Sequence, residues 1–151
     1  MRTIKFRGKR IDEPHQWEYG YIQVDGKDVW MHTIDGRVML AIPETVGQFT
    51  GKLAGRRTEI YDGDIISVTD MMGDMAGGQT RRGIVKWDER RLAFVIDFDD
   101  PWDDHPVLFE EVDCDDFFFA TVIGNIYENG SEQIKTEQRD SRPVKTLSDN
   151  G

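Results

Sequence analysis

The sequence contains a single cysteine among 151 residues, and this scarcity excludes several classes of site. Cys114 has no second thiol for an intrachain disulfide, and a cysteine-ligated zinc site needs more than one thiolate. Carboxylates on both sides, Asp113 and Asp115, disfavour the thiolate form and argue against a nucleophilic role. A reducing compartment fits this composition.

Long apolar runs are also missing. The first ten residues, MRTIKFRGKR, lack the apolar segment of a secretory signal. No stretch approaches the roughly 18 consecutive apolar residues that a membrane span needs. We therefore expect a cytoplasmic protein with no membrane partner.

The residue types that carry catalysis are few and scattered. His15, His32 and His105 lie in separate segments, and Ser67 has no nucleophile motif around it. The sequence therefore leans away from an enzyme without excluding one, and we expect no cofactor.

Positive charge is scarce in the second half of the chain. The net charge is −10, but residues 1–60 have ten basic and eight acidic residues, whereas residues 61–128 have five and seventeen. The basic excess lies at the start, where five Lys and Arg occur before Asp12. Such an acidic half is unsuited to a phosphate backbone. It is either a solvated face or a surface for a basic partner, and the basic first strand either binds phosphate or faces that acidic half.

Alternating aromatic and polar residues between Gly- and Asp-rich turns indicate β-strands. Residues 17–24 alternate in this way, and Asp25-Gly26 and Asp35-Gly36 provide tight turns on either side of the next strand. A break follows over 43–50, with a short helical turn near Thr45, and 52–58 is expected to be a polar loop. The strands predicted in this half are 1–10, 17–24, 28–33 and 37–42.

The second half continues from the turn Asp62-Gly63-Asp64, where we expect Gly63 at positive φ. Strands are predicted at 65–68, 82–87, 92–98, 106–112 and 121–127, with a loop at 70–79 and a helical turn or bulge near 115–119. The fold class is therefore all-β. We predict one domain over 1–128, made of an N-terminal β-meander (1–58) packed on an SH3-like barrel (59–128). A polar tail, 129–151, has no hydrophobic spacing and is expected to be disordered or loosely attached.

Several phrases occur together and in order, from about Ile4 to Asn129. They are IKFRGKR, W-x-Y-G-Y, IPETVGQFTG, EIYDGD, G-x-V-x-W-D and VIGNIYEN. In this order they resemble the YopX-like family of phage and prophage proteins. The resemblance implies an all-β accessory protein encoded in phage or prophage regions, and it supplies no catalytic residues.

The interaction candidates are two groups of charged residues. Asp99, Asp100, Asp103 and Asp104 lie in an acidic run that suits a basic protein surface, or a hard cation such as Ca²⁺, although the run lacks the EF-hand spacing. Arg56 and Arg57, with the basic first strand, suit a nucleic acid instead. We favour a non-enzymatic protein that binds a basic protein partner, with the nucleic-acid module as the alternative. Five aromatic residues of the predicted strands are expected to lie in the core: Trp17, Trp30, Trp87, Phe94 and Tyr127.

Overall fold

The structure, a computed structural model, describes residues 1–55, 57–70, 80–99, 107–108 and 118–128. These residues form two antiparallel sheets and one 3₁₀ turn, which confirms the all-β prediction. The described part of the chain contains no helix with the length and apolar character that a membrane crossing needs. The strands are β1 Phe6–Lys9, β2 Trp17–Asp25, β3 Asp28–Thr33, β4 Val38–Ala41, β5 Gly47–Ala54, β6 Thr58–Tyr61, β7 Asp64–Asp70, β8 Thr80–Asp88, β9 Ala93–Phe98, β10 Val107–Leu108 and β11 Phe118–Asn125.

The first sheet has the order β4-β3-β2-β1-β5-β6, so β1 to β4 form a meander, as the turns predicted, and β5 and β6 extend the sheet on the other side of β1. Its hairpins turn at the predicted Asp-Gly pairs, and β3 has the predicted bounds. Gly20 is opposite Thr33, where a Cβ would lie 2.0 Å from the His32 carbonyl oxygen. Only glycine permits this close backbone approach in β2.

Alternation along β2, β3 and β4 separates two faces of this sheet. Met31, Met39 and Ala41 are buried on the inner face and form a small core with Ile22 and Val46. The 3₁₀ turn Pro43–Thr45 lies near the predicted helical turn and is followed by Val46 of this core. The opposite, outer face carries aromatic side chains that remain partly or largely exposed.

Strand β5 was not predicted, because the sequence read as a break and then a polar loop. It contains two glycines that obscure its pattern. Gly47 lies against the Asp62 carbonyl oxygen, which would be 2.7 Å from a Cβ. Gly51 has φ +88° where the β5–β6 register shifts between Phe49 and Leu53. β5 nevertheless joins β1 to β6 and so completes the first sheet.

The second sheet has the order β10-β9-β8-β7-β11. The predicted SH3-like barrel is not confirmed, because no sheet closes into a barrel among the described residues. In addition, β6 pairs with β5, so this hairpin crosses the predicted 58/59 boundary. Two side chains of the first sheet, Ala54 and Ile60, share the main core with the second sheet: Ile66, Val68, Val85, Phe94, Ile96 and Phe98. The predicted loop after Asp70 and the tail lie outside the described residues. Of the helical turn or bulge predicted near 115–119, residues 115–117 lie outside them too, whereas Phe118 and Phe119 pair with β7 as part of β11.

Candidate functional site at the junction of the two sheets

A buried arginine lies where the first sheet meets the turn that begins the second. Arg7 of β1 is 6% exposed, and its Nη2 lies 2.6 Å from Oδ1 of Asp64, which is 1% exposed. Among the described residues, neither Arg7 Nε nor Asp64 Oδ1 has a well-directed hydrogen-bond partner, so the contact is chiefly an ion pair. A buried charge needs such a counter-ion, because desolvation of an isolated ion costs several kcal/mol.

Two aromatic rings surround the same guanidinium. Its Cζ lies 4.8 Å from the Trp17 ring centroid and 5.0 Å from that of Tyr61. Ring faces attract a cation without accepting a directed hydrogen bond, which accounts for the unpaired Nε. Arg7 is therefore held by one carboxylate and two rings from three different strands.

The turn that presents Asp64 is fixed by its own hydrogen bonds. Asp64 Oδ2 accepts a hydrogen bond from the Tyr61 amide at 2.8 Å. Gly63 has φ +87°, as predicted, and its amide donates to the Val85 carbonyl at 2.8 Å. The sequence indicated turn chemistry for Asp64, and the structure shows that this residue is also the counter-ion of Arg7.

A second turn, after β11, closes over the junction. Glu128 accepts a hydrogen bond from Trp17 Nε1 at 2.5 Å and lies 3.7 Å from Lys9 Nζ. Lys9 also donates to the Tyr127 carbonyl at 3.4 Å. The side-chain amide oxygen of Asn125 accepts from the Tyr127 amide at 3.0 Å and shapes the turn. We call Arg7, Trp17, Tyr61, Asp64, Tyr127 and Glu128 the junction cluster.

Burial shifts the pKa values of ionisable groups in and beside this cluster. Burial raises the pKa of the Tyr61 and Tyr127 phenols, and for Tyr61 the hydrogen bond to Glu59 raises it further. These phenols therefore stay neutral near pH 7. Burial also raises the pKa of the Asp62 carboxyl, while the charge of Arg7 opposes the rise. Within the described residues, no nucleophile lies beside a base in this cluster.

Four of the five basic residues that precede Asp12 form ion pairs within the chain, and Arg2 is exposed. Two of the four, Arg7 and Lys9, meet acids of the second half, as one of the two interpretations predicted. Lys5 contacts Glu59, Arg7 contacts Asp64 and Lys9 contacts Glu128. Beyond β1, Arg10 pairs with Asp12, its Nη2 lying 2.6 Å from Oδ2. The strand is therefore not an open phosphate-binding patch.

The two predicted interaction candidates that the structure describes, Arg57 and Asp99, are not part of the junction cluster. Arg57 is exposed in the β5–β6 turn, where its amide donates to the Ala54 carbonyl at 3.3 Å. Asp99 is exposed after β9, and its amide donates to the Arg82 carbonyl at 3.2 Å. Within the described residues, no three His, Cys, Asp or Glu side chains are placed to hold a metal ion. Four other candidates lie outside those residues: Arg56, Asp100, Asp103 and Asp104.

The strand aromatics are not uniformly core, as the sequence had suggested. Phe94 is 9% exposed and belongs to the main core, which confirms that prediction. The prediction that Trp87 lies in the core is wrong. Its side chain is 43% exposed, and its ring forms a T-shaped pair with that of Phe94. Trp17, Trp30 and Tyr127 are half-buried. Alternation identified two faces of each strand but not which face a neighbour covers.

The phrases that carry the family resemblance meet at this junction. Arg7 and Lys9 come from the first phrase, Trp17 from the second, Asp64 from EIYDGD, and Glu128 from the last. A search of curated proteins finds no match. The family model described as YopX protein matches residues 5–132, which includes every residue of the junction cluster. The chain therefore belongs to the YopX family.

Proposed function

We propose that this protein is a non-enzymatic accessory module of phage or prophage, acting in the cytoplasm by binding a basic surface on a protein partner. One observation carries the proposal. The first strand holds the densest basic run of the chain, and the charges of Lys5, Arg7 and Lys9 are neutralised internally. The net charge of −10 is thus presented to partners without an open basic strand to offset it.

Electrostatic complementarity governs the choice of partner and the rate of encounter more than it governs affinity. A protein that carries a strong negative potential accelerates the approach of a basic partner and slows that of a nucleic acid. The acidic run that includes Asp99 supports the same partner, since Asp99 is exposed.

The alternative is a nucleic-acid-binding module, and one observation favours it. Tyr19 and Tyr21 are 45% and 63% exposed on the first sheet, and exposed rings stack on bases. Such sites also need a positively charged groove along the backbone. The pairing of Lys5, Arg7 and Lys9 weighs against such a groove along the first strand and supports the protein partner.

The test is affinity capture from a bacterial host lysate, with and without nuclease, followed by measurement with the purified partner. We expect a basic protein whose capture survives nuclease and whose association rate falls as salt rises, because screening shortens to about 8 Å at physiological ionic strength. Capture that disappears with nuclease, or tight binding of duplex DNA by the purified protein, would overturn the proposal in favour of the alternative.

A further inference from the structure

The outer face of β2, β3 and β4 is an open aromatic surface. Cross-strand pairing places Tyr21 opposite His32 and Gln23 opposite Trp30, and His32 in turn is opposite Val38. Tyr21 is 63% exposed and Val38 53%, while Val29, Met31, Met39 and Ala41 on the inner face are buried. We call the following residues the outer aromatic face: Tyr19, Tyr21, Gln23, Trp30, His32, Val38 and Leu40.

This face is continuous with the junction cluster. The Tyr19 ring centroid lies 5.6 Å from that of Tyr61, which packs over Arg7. On the β1 side of the sheet Trp17 packs against Tyr127, whereas farther across the sheet Tyr21 is open and Trp30 is half-buried. Contiguous exposed rings on a soluble protein mark an interaction surface.

Two carboxylates border the same face at the end of the β2–β3 hairpin. Asp25 and Asp28 are directly opposite each other in the ladder, and both are exposed. Neither has an ion-pair partner in the part of the chain that the structure describes. Like charges directly opposite in a sheet are destabilising. A cation supplied from outside would relieve that repulsion.

We propose that the outer aromatic face binds an extended, arginine-bearing segment of a protein partner. One arginine pairs with Asp25 and Asp28, and another stacks on the rings of Tyr21 and Trp30. Asp25 and Tyr21 are four residues apart, about 13 Å along the strand, which a segment in the same extended conformation spans with four of its own residues. The proposal rests on the protein partner of the proposed function and assigns it a surface and a chemistry.

The molecule itself packs guanidinium groups in this way. Arg7 lies over Trp17 and Tyr61, and Arg81 Cζ lies 4.3 Å from the Phe98 ring centroid. Arginine suits such a site better than lysine, because its planar, weakly hydrated group stacks on rings and also bonds carboxylates through two donors. The two aspartates repel phosphates, and a second copy of a chain with net charge −10 would bring like charges together.

The test uses a ten-residue peptide of alternating arginine and serine, with lysine and citrulline counterparts, titrated into the full chain by calorimetry at two salt concentrations. We expect the arginine peptide to bind at least tenfold more tightly than the citrulline peptide, and more tightly than the lysine peptide. Tyr21→Leu and Trp30→Leu should each weaken binding about fivefold, since leucine keeps apolar area but removes the ring face. Asp25→Asn with Asp28→Asn should lower affinity and flatten its salt dependence.

Two controls separate this surface from general charge attraction. Trp87→Leu removes an exposed ring of the second sheet and should leave binding unchanged. Tyr21→Phe keeps the ring and should bind the peptide like the wild type. A loss of affinity in Tyr21→Leu alone then reflects the missing ring, and thermal melts check that each variant is folded. Wild-type affinity in both leucine variants would overturn the inference, as would equal binding of the citrulline peptide or competition by an oligothymidine.

Failure of this inference is distinguishable from failure of the proposed function. Suppose that a captured basic partner binds Tyr21→Leu and the double aspartate variant as tightly as the wild type. The partner would then dock elsewhere, and this surface would be rejected while the function stands. If only nuclease-sensitive material is captured, the proposed function itself fails.

Discussion

At the scale of single residues, the buried pair of Arg7 and Asp64 dominates the junction. Removing one partner leaves the other charge buried and unpaired, so Arg7→Met should lower the free energy of unfolding by about 3–5 kcal/mol. Asp64→Asn should be comparably harmful, because it strands the guanidinium. Urea denaturation of both single variants and the double variant measures the coupling. We expect the double variant to lose clearly less than the sum, and additive losses would show that the pair is not coupled.

Gly63 combines a left-handed conformation with close packing. At φ +87° a side chain is strained, and a Cβ would also lie 2.9 Å from Tyr127 Cε2. Gly63→Val should therefore cost roughly 1–3 kcal/mol or more. Gly51 is a matched control, since its φ is +88° but no atom lies within 4 Å of its Cβ position. Thermal melts should show Gly63→Val less stable than Gly51→Val, and equal losses would remove the Tyr127 contact from the argument.

At the scale of elements, local patterns predicted the strands whose turns are built from Asp and Gly. Residues 17–24 and 28–33 alternate between apolar or aromatic and polar side chains, and β2 and β3 lie there. β5 was missed because Gly47 and Gly51 serve distant constraints, the Asp62 backbone and a register shift, which no local pattern contains. Barrel closure was predicted from strand order alone. Strand order does not show that β6 pairs with the preceding strand, β5, and so belongs to the first sheet.

The site was less predictable than the strands. Charge counting indicated that the basic strand faces acids, but it did not identify Glu59, Asp64 and Glu128 as the partners. Those residues are far from β1 in sequence, and only tertiary packing brings them together. The exposure of the outer aromatic face was equally hidden, because an alternating strand looks the same whichever face is covered. The phrases EIYDGD and VIGNIYEN were the available signal, since they contain the acids that β1 meets.

The last turn, after β11, is the element that locks β1 in place. Truncation after Gly130 keeps Glu128 and removes a mostly polar sequence with only isolated apolar residues, so the melting temperature should change little. Truncation after Gly124 removes Asn125, Tyr127 and Glu128 with their bonds to Lys9 and Trp17, and it should lower stability by several kcal/mol. Comparing the two melts checks the assignment. A large fall in melting temperature for the truncation after Gly130 would show that the removed tail packs on the domain.

At the scale of the whole molecule, the shared core couples the sheets. Ile60 of the first sheet is 2% exposed among residues of the second. Ile60→Ala should cost about 2–5 kcal/mol and lower the stability of both sheets together. Fluorescence of single-tryptophan variants retaining Trp30 or Trp87 follows each sheet separately. We expect the two probes to report the same unfolding transition. Separate transitions would show that the two sheets unfold independently and are not one domain.

The acidic run governs behaviour of the molecule toward ions and partners. Changing Asp99, Asp100, Asp103 and Asp104 to Asn should slow association with a basic partner and leave the fold intact or slightly stabilised, because like-charge repulsion falls. A control with three exposed acids changed to Gln should slow this association less: Glu13, Glu44 and Glu89.

Thermal melts of the wild type with added Ca²⁺ or Mg²⁺ test the hypothesis that the acidic run binds a cation. A rise in melting temperature lost in the Asn variant would establish it.

The contact between Lys9 and Tyr127 has a consequence for how the protein is made. The two residues are 118 positions apart, so β1 leaves the ribosome long before the turn that locks it. At about 5–20 residues per second, the delay is roughly 6–24 s. During that time Lys9 lacks Glu128, and for about the first half of it Arg7 also lacks Asp64, so the strand edge is open to other chains. Nascent-chain folding is therefore expected to finish late, with the first strand among the last to become protected.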